Sequence, residues 1–559
     1  KAEQLYRRKL GEGSRLRVPD LLYRLAQVYD AVPDPPAARR TRLRLIEGYP
    51  GDIAALDAAS DIRRTPSNAA EAYALAYVYI SHQQYDTAAR RLRSFLESYP
   101  EDERAGEVHY QLGRCYLKKG QHSRARRTFA RVYDDYGLPT ALYRIGGLQV
   151  RDDDDADAID TYERFVRAHP SHGLADDALW QAAKAAERVD DFERAGQLYQ
   201  RLVDGYAASP FLDEARWNTG FMFYCREQYW TALKTFDAVS REAREPHIID
   251  QTLYWAGKSA QQLSAGGEAT GFYQRAASHF PRSYYSARAV RMGYGQPGRS
   301  PALHAYSRES SAAGDQAAIG ESSLRGADGL ARGELLAQLG LSGLAEAELA
   351  DVERQNRGDT AALRVIRDHY ERLEILDRAL LLSTRIFAAA KDSSEIPHLY
   401  PNYYWEQIAA AARKSGIDPY LVLSVIRQES YFDKGAVSRA GAVGLMQIMP
   451  QTGRNLARSM GVHPYERSQL LDPNVSIRMG TRFLGEQVRS FAEGPARLVG
   501  FELGLAAYNA GPQVARRWVK RLPYDDPDAF IERIPYKETR LYVKKVLKNY
   551  TIYKTLSDV

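Results

Sequence analysis

Residues 85–100 read YDTAARRLRSFLESYP. Ala88 is small and sits where two helices of a hairpin would touch; Tyr99 and Pro100 follow eleven and twelve residues later. With Glu71–His82 before it, the stretch reads as two amphipathic helices, the second running Tyr85–Tyr99. Pro100 cannot continue a helix, so it closes the unit.

The same register recurs along the chain. Ala88, Ala125, Ala158, Ala195, Ala232 and Ala269 are spaced 37, 33, 37, 37 and 37 residues apart. Eleven residues after each anchor stand Tyr99, Tyr136, His169, Tyr206, Ala243 and Phe280, with Pro100, Pro170 and Pro281 directly behind three of them. Three residues before each anchor stand Tyr85, His122, Asp155, Phe192, Tyr229 and Gly266. Ala38 with Tyr49 and Pro50 is an earlier, diverged copy. One hairpin cannot bury its own apolar face, whereas stacked neighbours can. The pattern predicts a tetratricopeptide-like α-solenoid, or superhelix, over 1–300, whose repeat drifts from the strict 34-residue period.

Within it, tyrosines at helical spacing are read as packing. Asp152–Asp155 is read as a solvated turn between helices rather than a cation site. Cys115 and Cys225 lie in first helices three repeats apart, too far for a disulfide at helix spacings of 8–10 Å. Both are expected as buried, unpaired thiols. Gly293–Gly329, with Gln296-Pro297-Gly298, is a candidate connector. Helical patterning resumes from Leu330 to about Lys391, giving a connector and helical linker over 301–395.

The composition is that of an ordinary soluble globular protein, with 44% hydrophobic and 26% charged residues in 559. No stretch approaches 18 consecutive apolar residues, so no transmembrane segment is expected. Residues 401–559 hold 23 basic and 15 acidic side chains, whereas the first 400 hold 54 and 56. The basic C-terminal part implies an anionic partner. Its cations are scattered rather than clustered, which argues against nucleic acid.

That C-terminal part, 396–559, holds the chemistry. A helix over Trp405–Ser415 is followed by Gly416-Ile417-Asp418-Pro419, with Asp418 placed to cap and Pro419 at the first helical position. The next helix, Tyr420–Glu429, is nearly all apolar; Glu429 ends it and Ser430 follows. By position alone Glu429 reads either as a plain solvated helix end or, if partly buried, as a carboxyl whose raised pKa suits a general acid at neutral pH. Three motifs follow in order: Gly444-Leu445-Met446-Gln447-Ile448-Met449-Pro450, Ala507-Tyr508-Asn509-Ala510-Gly511-Pro512 and Ile534-Pro535-Tyr536-Lys537-Glu538-Thr539-Arg540.

This set resembles the soluble lytic transglycosylases, which cleave peptidoglycan with a lysozyme-like catalytic domain. The strong resemblance covers about 400–555; the helical region before it is similar, less specifically, to the family's superhelical domain. The resemblance implies an all-α protein with solenoid, helical linker and lysozyme-like catalytic domain. It implies Glu429 as the sole catalytic acid and base, with Ser438 near the sugar N-acetyl group and Gln447 and Met449 lining the glycan cleft. It implies Tyr508 as the residue that hydrogen-bonds and orients the catalytic carboxyl, Asn509 in the same loop, and Glu538 as a cleft glutamate. Where the family often has Asn-Pro, this chain has Asp433-Lys434-Gly435. Asp433 is expected to bond nearby backbone N–H groups rather than act as a second catalytic carboxylate. Asp472-Pro473 is an expected helix start.

The implied reaction is non-hydrolytic cleavage of the β-1,4 bond between N-acetylmuramic acid and N-acetylglucosamine, giving 1,6-anhydromuramyl ends. A hydrolytic muramidase on the same fold, and a solenoid scaffold that binds peptidoglycan and a protein partner, are the alternatives. No cofactor is implied. The sequence has no HExxH and no His–carboxylate cluster at ligand spacing, so no metal is expected; Gly494-Pro495 and Gly511-Pro512 are read as turns, not phosphate loops. The substrate implies the periplasm; the chain begins at Lys1 without an apolar leader, so no signal sequence is expected within it.

Overall fold

The computed structural model describes residues 17–292 and 320–557, apart from 33, 63–64, 281, 391, 494–495 and 523–524. Gln296-Pro297-Gly298, most of Gly293–Gly329, Pro281 and Gly494-Pro495 lie outside the described residues. The protein is all-α, with no strand among the described residues. Two isolated bridges, Val437 with Val443 and Val443 with Ile448, shape one loop. Two compact units divide the chain, Lys1–Arg226 and Glu227–Val559.

The first unit is built of helical hairpins, among them Ala69–Ser81 with Tyr85–Ser98, Ala105–Lys118 with His122–Tyr136, and Ala175–Arg188 with Phe192–Gly205. Each second helix begins three residues before its alanine anchor, so the anchor falls one turn in. Ala88, Ala125, Ala158 and Ala195 are completely buried, as are Ala232 and Ala269 in the second unit. A second small residue, on the first helix, completes the close approach. A Cβ on Gly113 would lie 2.7 Å from the Phe129 ring, and one on Gly146 would lie 2.8 Å from the Tyr162 ring. Sixteen residues separate the members of each pair. The ring fills the space that the missing side chain leaves, which is how interiors reach crystal-like density.

The turn inside each hairpin holds one left-handed residue, five positions before the anchor. These are Gln83, Gly120, Asp153 and Asp190, then Glu227 and Ser264 in the second unit, with φ from 58° to 70°. Asp152–Asp155 is therefore a turn, as expected. Its carboxylates pair with His122 (3.6 Å), Arg126 (3.3 Å) and Arg188 (2.6 Å). Cys115 is buried and no disulfide joins it to Cys225. Cys225 departs from expectation: it is only partly buried, because it is the last residue of the Leu212–Cys225 helix, where the packing face runs out.

In the second unit, helices Pro246–Gln262, Gly266–His279 and Tyr284–Arg291 continue the hairpin pattern. Four helices follow over 328–390: Asp328–Gln338, Ser342–Gln355, Thr360–Arg372 and Leu376–Ala390. Their core is Leu349, Val352, Ile366, Tyr370, Leu382 and Ile386. In the remaining helical region, from Trp405 to Ser557, the apolar Pro419–Ser430 helix packs against the Lys537–Ser557 and Trp405–Ser415 helices. Among the described residues no helix is long and apolar enough to cross a membrane.

Candidate active site

The Pro419–Ser430 helix starts as its sequence requires. Asp418 accepts a hydrogen bond from the Tyr420 N–H at 2.8 Å, and Pro419 occupies the first turn. Leu421, Val422, Leu423, Val425 and Ile426 are at most 1% exposed, so the helix is held on all sides. It stops just past Glu429 because two successive non-glycine residues, Tyr431 (φ 53°) and Phe432 (φ 68°), are left-handed. Each costs on the order of 1–2 kcal/mol. Phe432 is buried edge-on against Tyr403, 5.3 Å between centroids, which holds the turn in place. The chain thus breaks sharply where the carboxyl must face outward.

Glu429 is half-buried. Loss of solvent around its carboxyl pushes its pKa up to about 7, and the charge of Glu538 pushes the same way. The hydroxyl of Tyr542 opposes both by favouring the ionised form. Tyr542 is buried, and its hydroxyl faces the carboxyl outside strict hydrogen-bond geometry, with no other partner. Such contacts commonly tighten when substrate binds. Glu538 and Tyr542 are four residues apart on the Lys537–Ser557 helix and so share a face. Glu538 is exposed and has no ion-pair partner among the described residues; Arg540 donates instead to the Glu532 and Ile534 carbonyls at 3.0 and 3.3 Å.

Tyr508, on the Gly500–Ala510 helix, lies near enough to feel the Glu429 charge. Its hydroxyl, however, donates to the Met446 carbonyl at 2.7 Å. The expected bond from Tyr508 to the carboxyl is thus replaced by one to the loop floor, because Met446 is fixed. Its N–H is bonded to Ser476 Oγ at 3.2 Å, and its side chain fills the gap over Gly480. Tyr542, which the sequence reading missed, faces the acid instead. Its place one turn after Glu538 gains meaning only once Glu538 is seen beside Glu429.

The loop over 436–449 is built on backbone. Gly444 has φ 78°, and a Cβ there would lie 2.0 Å from the Leu470 carbonyl oxygen, so no other residue fits. Gln447 is left-handed (φ 46°) and donates from Nε2 to the Ala436 and Gly444 carbonyls at 3.1 and 2.9 Å. Ser438 Oγ accepts from the Ala442 N–H at 3.0 Å, bracing the tip. Met446 is fully buried, whereas Met449 is 43% exposed. Asn509 is exposed and accepts from Thr539 Oγ1 at 2.7 Å, tying the end of the Tyr508 helix to the start of the Glu538 helix. The structure therefore brings together Glu429, Tyr508, Glu538 and Tyr542. Gln447 joins them through the Met446 loop and Asn509 through Thr539, while Ser438 and Met449 stand in the loop wall without a contact to Glu429.

Two other carboxylates are occupied elsewhere. Asp433 accepts from the Gly435 N–H at 2.7 Å, and Asp472 caps the Pro473–Ala492 helix through the Val475 N–H at 3.0 Å. Gly511 (φ 92°) is the turn before Pro512, as read from the sequence. No group of three or more His, Cys, Asp or Glu among the described residues is placed to hold a metal.

A buried charge network, not foreseen from sequence, anchors the Lys537–Ser557 helix. Lys544 donates to Glu532 (2.7 Å) and to the Tyr285 hydroxyl (2.8 Å), and Tyr285 donates to Glu532 (2.7 Å). Beside it, Asp528 accepts from Tyr254 (2.8 Å), Lys258 (3.2 Å) and Arg288 (2.7 Å). The Pro246–Gln262 and Tyr284–Arg291 helices thereby fix the helix that presents Tyr542 and Glu538.

Family models match this region by sequence. Residues 406–530 match the transglycosylase SLT domain, and residues 533–559 match the soluble lytic transglycosylase helical domain. Tetratricopeptide-repeat models match 79–137 and 140–172, in line with the hairpins there. Among curated relatives, the soluble lytic murein transglycosylase of Salmonella typhimurium is 34% identical over 175 residues, 31% of this chain and 26% of the relative. The membrane-bound lytic murein transglycosylase C of Actinobacillus pleuropneumoniae is 32% identical over 164 residues, 26% of this chain and 44% of the relative. The aligned region thus spans about a quarter of the soluble relative. The crystal structure of the 70 kDa soluble lytic transglycosylase of Escherichia coli aligns with 100% of this chain and 91% of its own, at 18% identity and a TM-score of 0.47. Within the segment matching the SLT domain lie Glu429, Ser438, Gln447, Met449, Tyr508 and Asn509; Glu538 and Tyr542 come from the segment matching the helical domain.

Proposed function

We propose that the protein is a murein lytic transglycosylase acting in the periplasm, with Glu429 as acid and then base. The observation that carries this reading is the Glu429 carboxyl, desolvated at the end of an apolar helix with its pKa near 7. An acid poised near the working pH can give a proton and take one back in the same cycle.

In the first step the Glu429 proton passes to the oxygen joining N-acetylmuramic acid to N-acetylglucosamine, and the bond to C1 breaks. The substrate's own 2-acetamido oxygen supports the electron-poor C1, as in substrate-assisted glycosidases. The Glu429 carboxylate, held ready by Tyr542, then takes the proton of the muramyl C6 hydroxyl. That oxygen bonds to C1, the 1,6-anhydro ring closes, and Glu429 is again protonated. No water is consumed. Gln447, Met449, Ser438 and Asn509 would line the strand, with Glu538 near the sugar beyond Tyr508.

Hydrolysis is the second reading, and one observation favours it: Glu538 is exposed, unpaired and close enough to act on Glu429, where it could activate a water. Mass spectrometry of the products from purified sacculi separates the two. Muropeptides one water lighter than reducing-end products, absent with Glu429→Gln, are expected. Reducing ends would overturn the transglycosylase reading, and full activity of Glu429→Gln would overturn the role of Glu429.

A further inference from the structure

The turn that aims Glu429 is braced from the four helices over 328–390. Tyr431 and Phe432 are both left-handed, and two such residues in a row persist only where the surroundings over-determine them. Phe432 supplies the fixed point: it is buried, and its ring meets the Tyr403 ring at 88° between planes. That edge-on contact sets an angle as well as a distance. Phenylalanine at 403 would make the same ring contact. The tyrosine hydroxyl adds a tether, donating to Glu371 Oε1 at 2.6 Å. Glu371 lies on the Thr360–Arg372 helix, with His398 Nδ1 beside it at 3.9 Å. His398 first, then the Tyr403 hydroxyl and the charge of Arg367, hold the Glu371 carboxyl below its usual pKa against the effect of burial. It is therefore an ionised, strong acceptor for the tyrosine.

The other contacts made by this turn are weaker. Lys434 reaches Glu374 at 3.6 Å, but both side chains are exposed, and exposed ion pairs contribute little. Asp433 and Asp377 act on each other as like charges, which loosens the contact rather than closing it. The Tyr404 hydroxyl is buried without a hydrogen-bond partner, so it bridges nothing. Among the described residues, the Tyr403 ring pinned at its hydroxyl is the tie that holds the turn to the Thr360–Arg372 helix.

We infer that Tyr403, pinned by Glu371, is a positioning residue for the catalytic acid: through Phe432 it fixes the turn that keeps the Glu429 carboxyl aimed and out of water. The inference rests on the proposed role of Glu429. The groups that face that carboxyl directly are Glu538 and Tyr542 on the Lys537–Ser557 helix and Tyr508 on the Gly500–Ala510 helix. A change at Tyr403 leaves all three side chains present, so what it alters at Glu429 is the access of water.

The test uses the full chain, with turnover of purified sacculi measured against pH. Tyr403→Phe and Glu371→Ala break the tether and keep the ring contact; Tyr403→Leu removes both; Glu371→Gln keeps an oxygen that accepts the hydroxyl. Misplacing the acid is expected to lower kcat by about 10- to 100-fold in Tyr403→Leu, and by less in the two tether variants, with KM little changed. The basic limb of the pH profile should move down, because water around Glu429 brings its pKa from about 7 towards the ordinary 4.5. Glu371→Gln should keep more activity than Glu371→Ala and hold the limb closer to its wild-type position. A part in fold stability alone would lower the melting temperature and leave the limb where it is. A limb unmoved in Tyr403→Phe and Glu371→Ala, and in Tyr403→Leu where that variant folds, would overturn the inference. The same desolvation is read without turnover, from how far above its parent Glu429→Gln melts at pH 8. That gap should shrink when Tyr403→Phe is present. Should the wild type turn over no strand, the proposed reaction fails, and the gap still decides the role of Tyr403: a gap of the same size with and without Tyr403→Phe overturns it.

Discussion

The buried Tyr542 hydroxyl faces the Glu429 carboxyl and has no other partner. Among the described residues it is the polar group that favours the ionised acid against desolvation and Glu538. Removing it should raise the Glu429 pKa above its value of about 7. The first step, which needs the protonated acid, keeps its supply; the second, which needs the carboxylate, suffers. Tyr542→Phe is therefore expected to lower kcat by about 10- to 100-fold and to move the basic limb of the pH profile upward. The profile of kcat/KM against pH checks this, and a basic limb that stays in place rules out the coupling.

Glu429 is also expected to weaken the fold that carries it. Its folded-state pKa is raised from 4.5 to about 7. Below about pH 4 the group is neutral whether the chain is folded or not, and it costs nothing. As pH rises through 4.5 the unfolded chain ionises first, so stability is lost progressively until the folded carboxyl ionises near 7. The penalty above that pH is at most about 3 kcal/mol, less for the part of the group that water reaches. Glu429→Gln should therefore melt higher than the wild type at pH 8 and at the same temperature at pH 4. Equal melting at both would show that the carboxyl is not desolvated.

The same residues show what could be read in advance. The solenoid was legible because its register needs a fully buried small residue once per hairpin, and Ala88 through Ala269 mark it in the sequence. The helix ending at Glu429 was legible because capping and apolar runs are local properties. Tyr542 was not. Its role depends on the Lys537–Ser557 helix crossing the Pro419–Ser430 helix more than a hundred residues earlier, and a tyrosine in an amphipathic helix looks like any other. The partner of Tyr508 was missed for a similar reason: the competing acceptor, the Met446 carbonyl, belongs to the backbone and leaves no mark on residue identity. Cys225 was misjudged because it is the last residue of its helix, and helix ends are the least determined part of a sequence reading. The Arg288–Asp528 network joins residues 240 apart, beyond any local pattern.

That network yields a third expectation. Burial alone would raise the Asp528 pKa, but Arg288 and Lys258 hold it below its usual value. Its contribution is present above the unfolded value of 3.8 and is lost as pH falls through the lower folded value. Asp528→Asn leaves Lys258 with Asp526 (3.0 Å) and Arg288 with Glu502 (3.6 Å) as remaining partners, so the loss should fall below the roughly 3–5 kcal/mol of a buried charge left wholly unpaired. Because the network also fixes the helix bearing Tyr542, activity should fall with it. Thermal melting and turnover measured side by side check both. A variant that melts as the wild type does would mean that the network carries no net stability.

Close approach of hairpin helices predicts an asymmetry between neighbouring positions. Ala195 is completely buried one turn into its helix, and Gly146 has the Tyr162 ring where its Cβ would stand. Enlarging either site forces the paired helices apart. Ala195→Leu or Gly146→Val should cost about 1–3 kcal/mol through overpacking. The turn residue behaves oppositely. Asp153 holds a left-handed conformation that glycine adopts freely, and its neighbours Asp152, Asp154 and Asp155 rather than Asp153 make the recorded ion pairs. Asp153→Gly relieves on the order of 1 kcal/mol of backbone strain, offset in part by the entropy glycine adds to the unfolded chain. It should melt no lower than the wild type, while both enlarged variants melt clearly lower. Gly146 and Asp153 belong to one hairpin, so a common drop in all three variants would mean that the hairpin turn, and not the small-residue contact, sets the stability of the repeat.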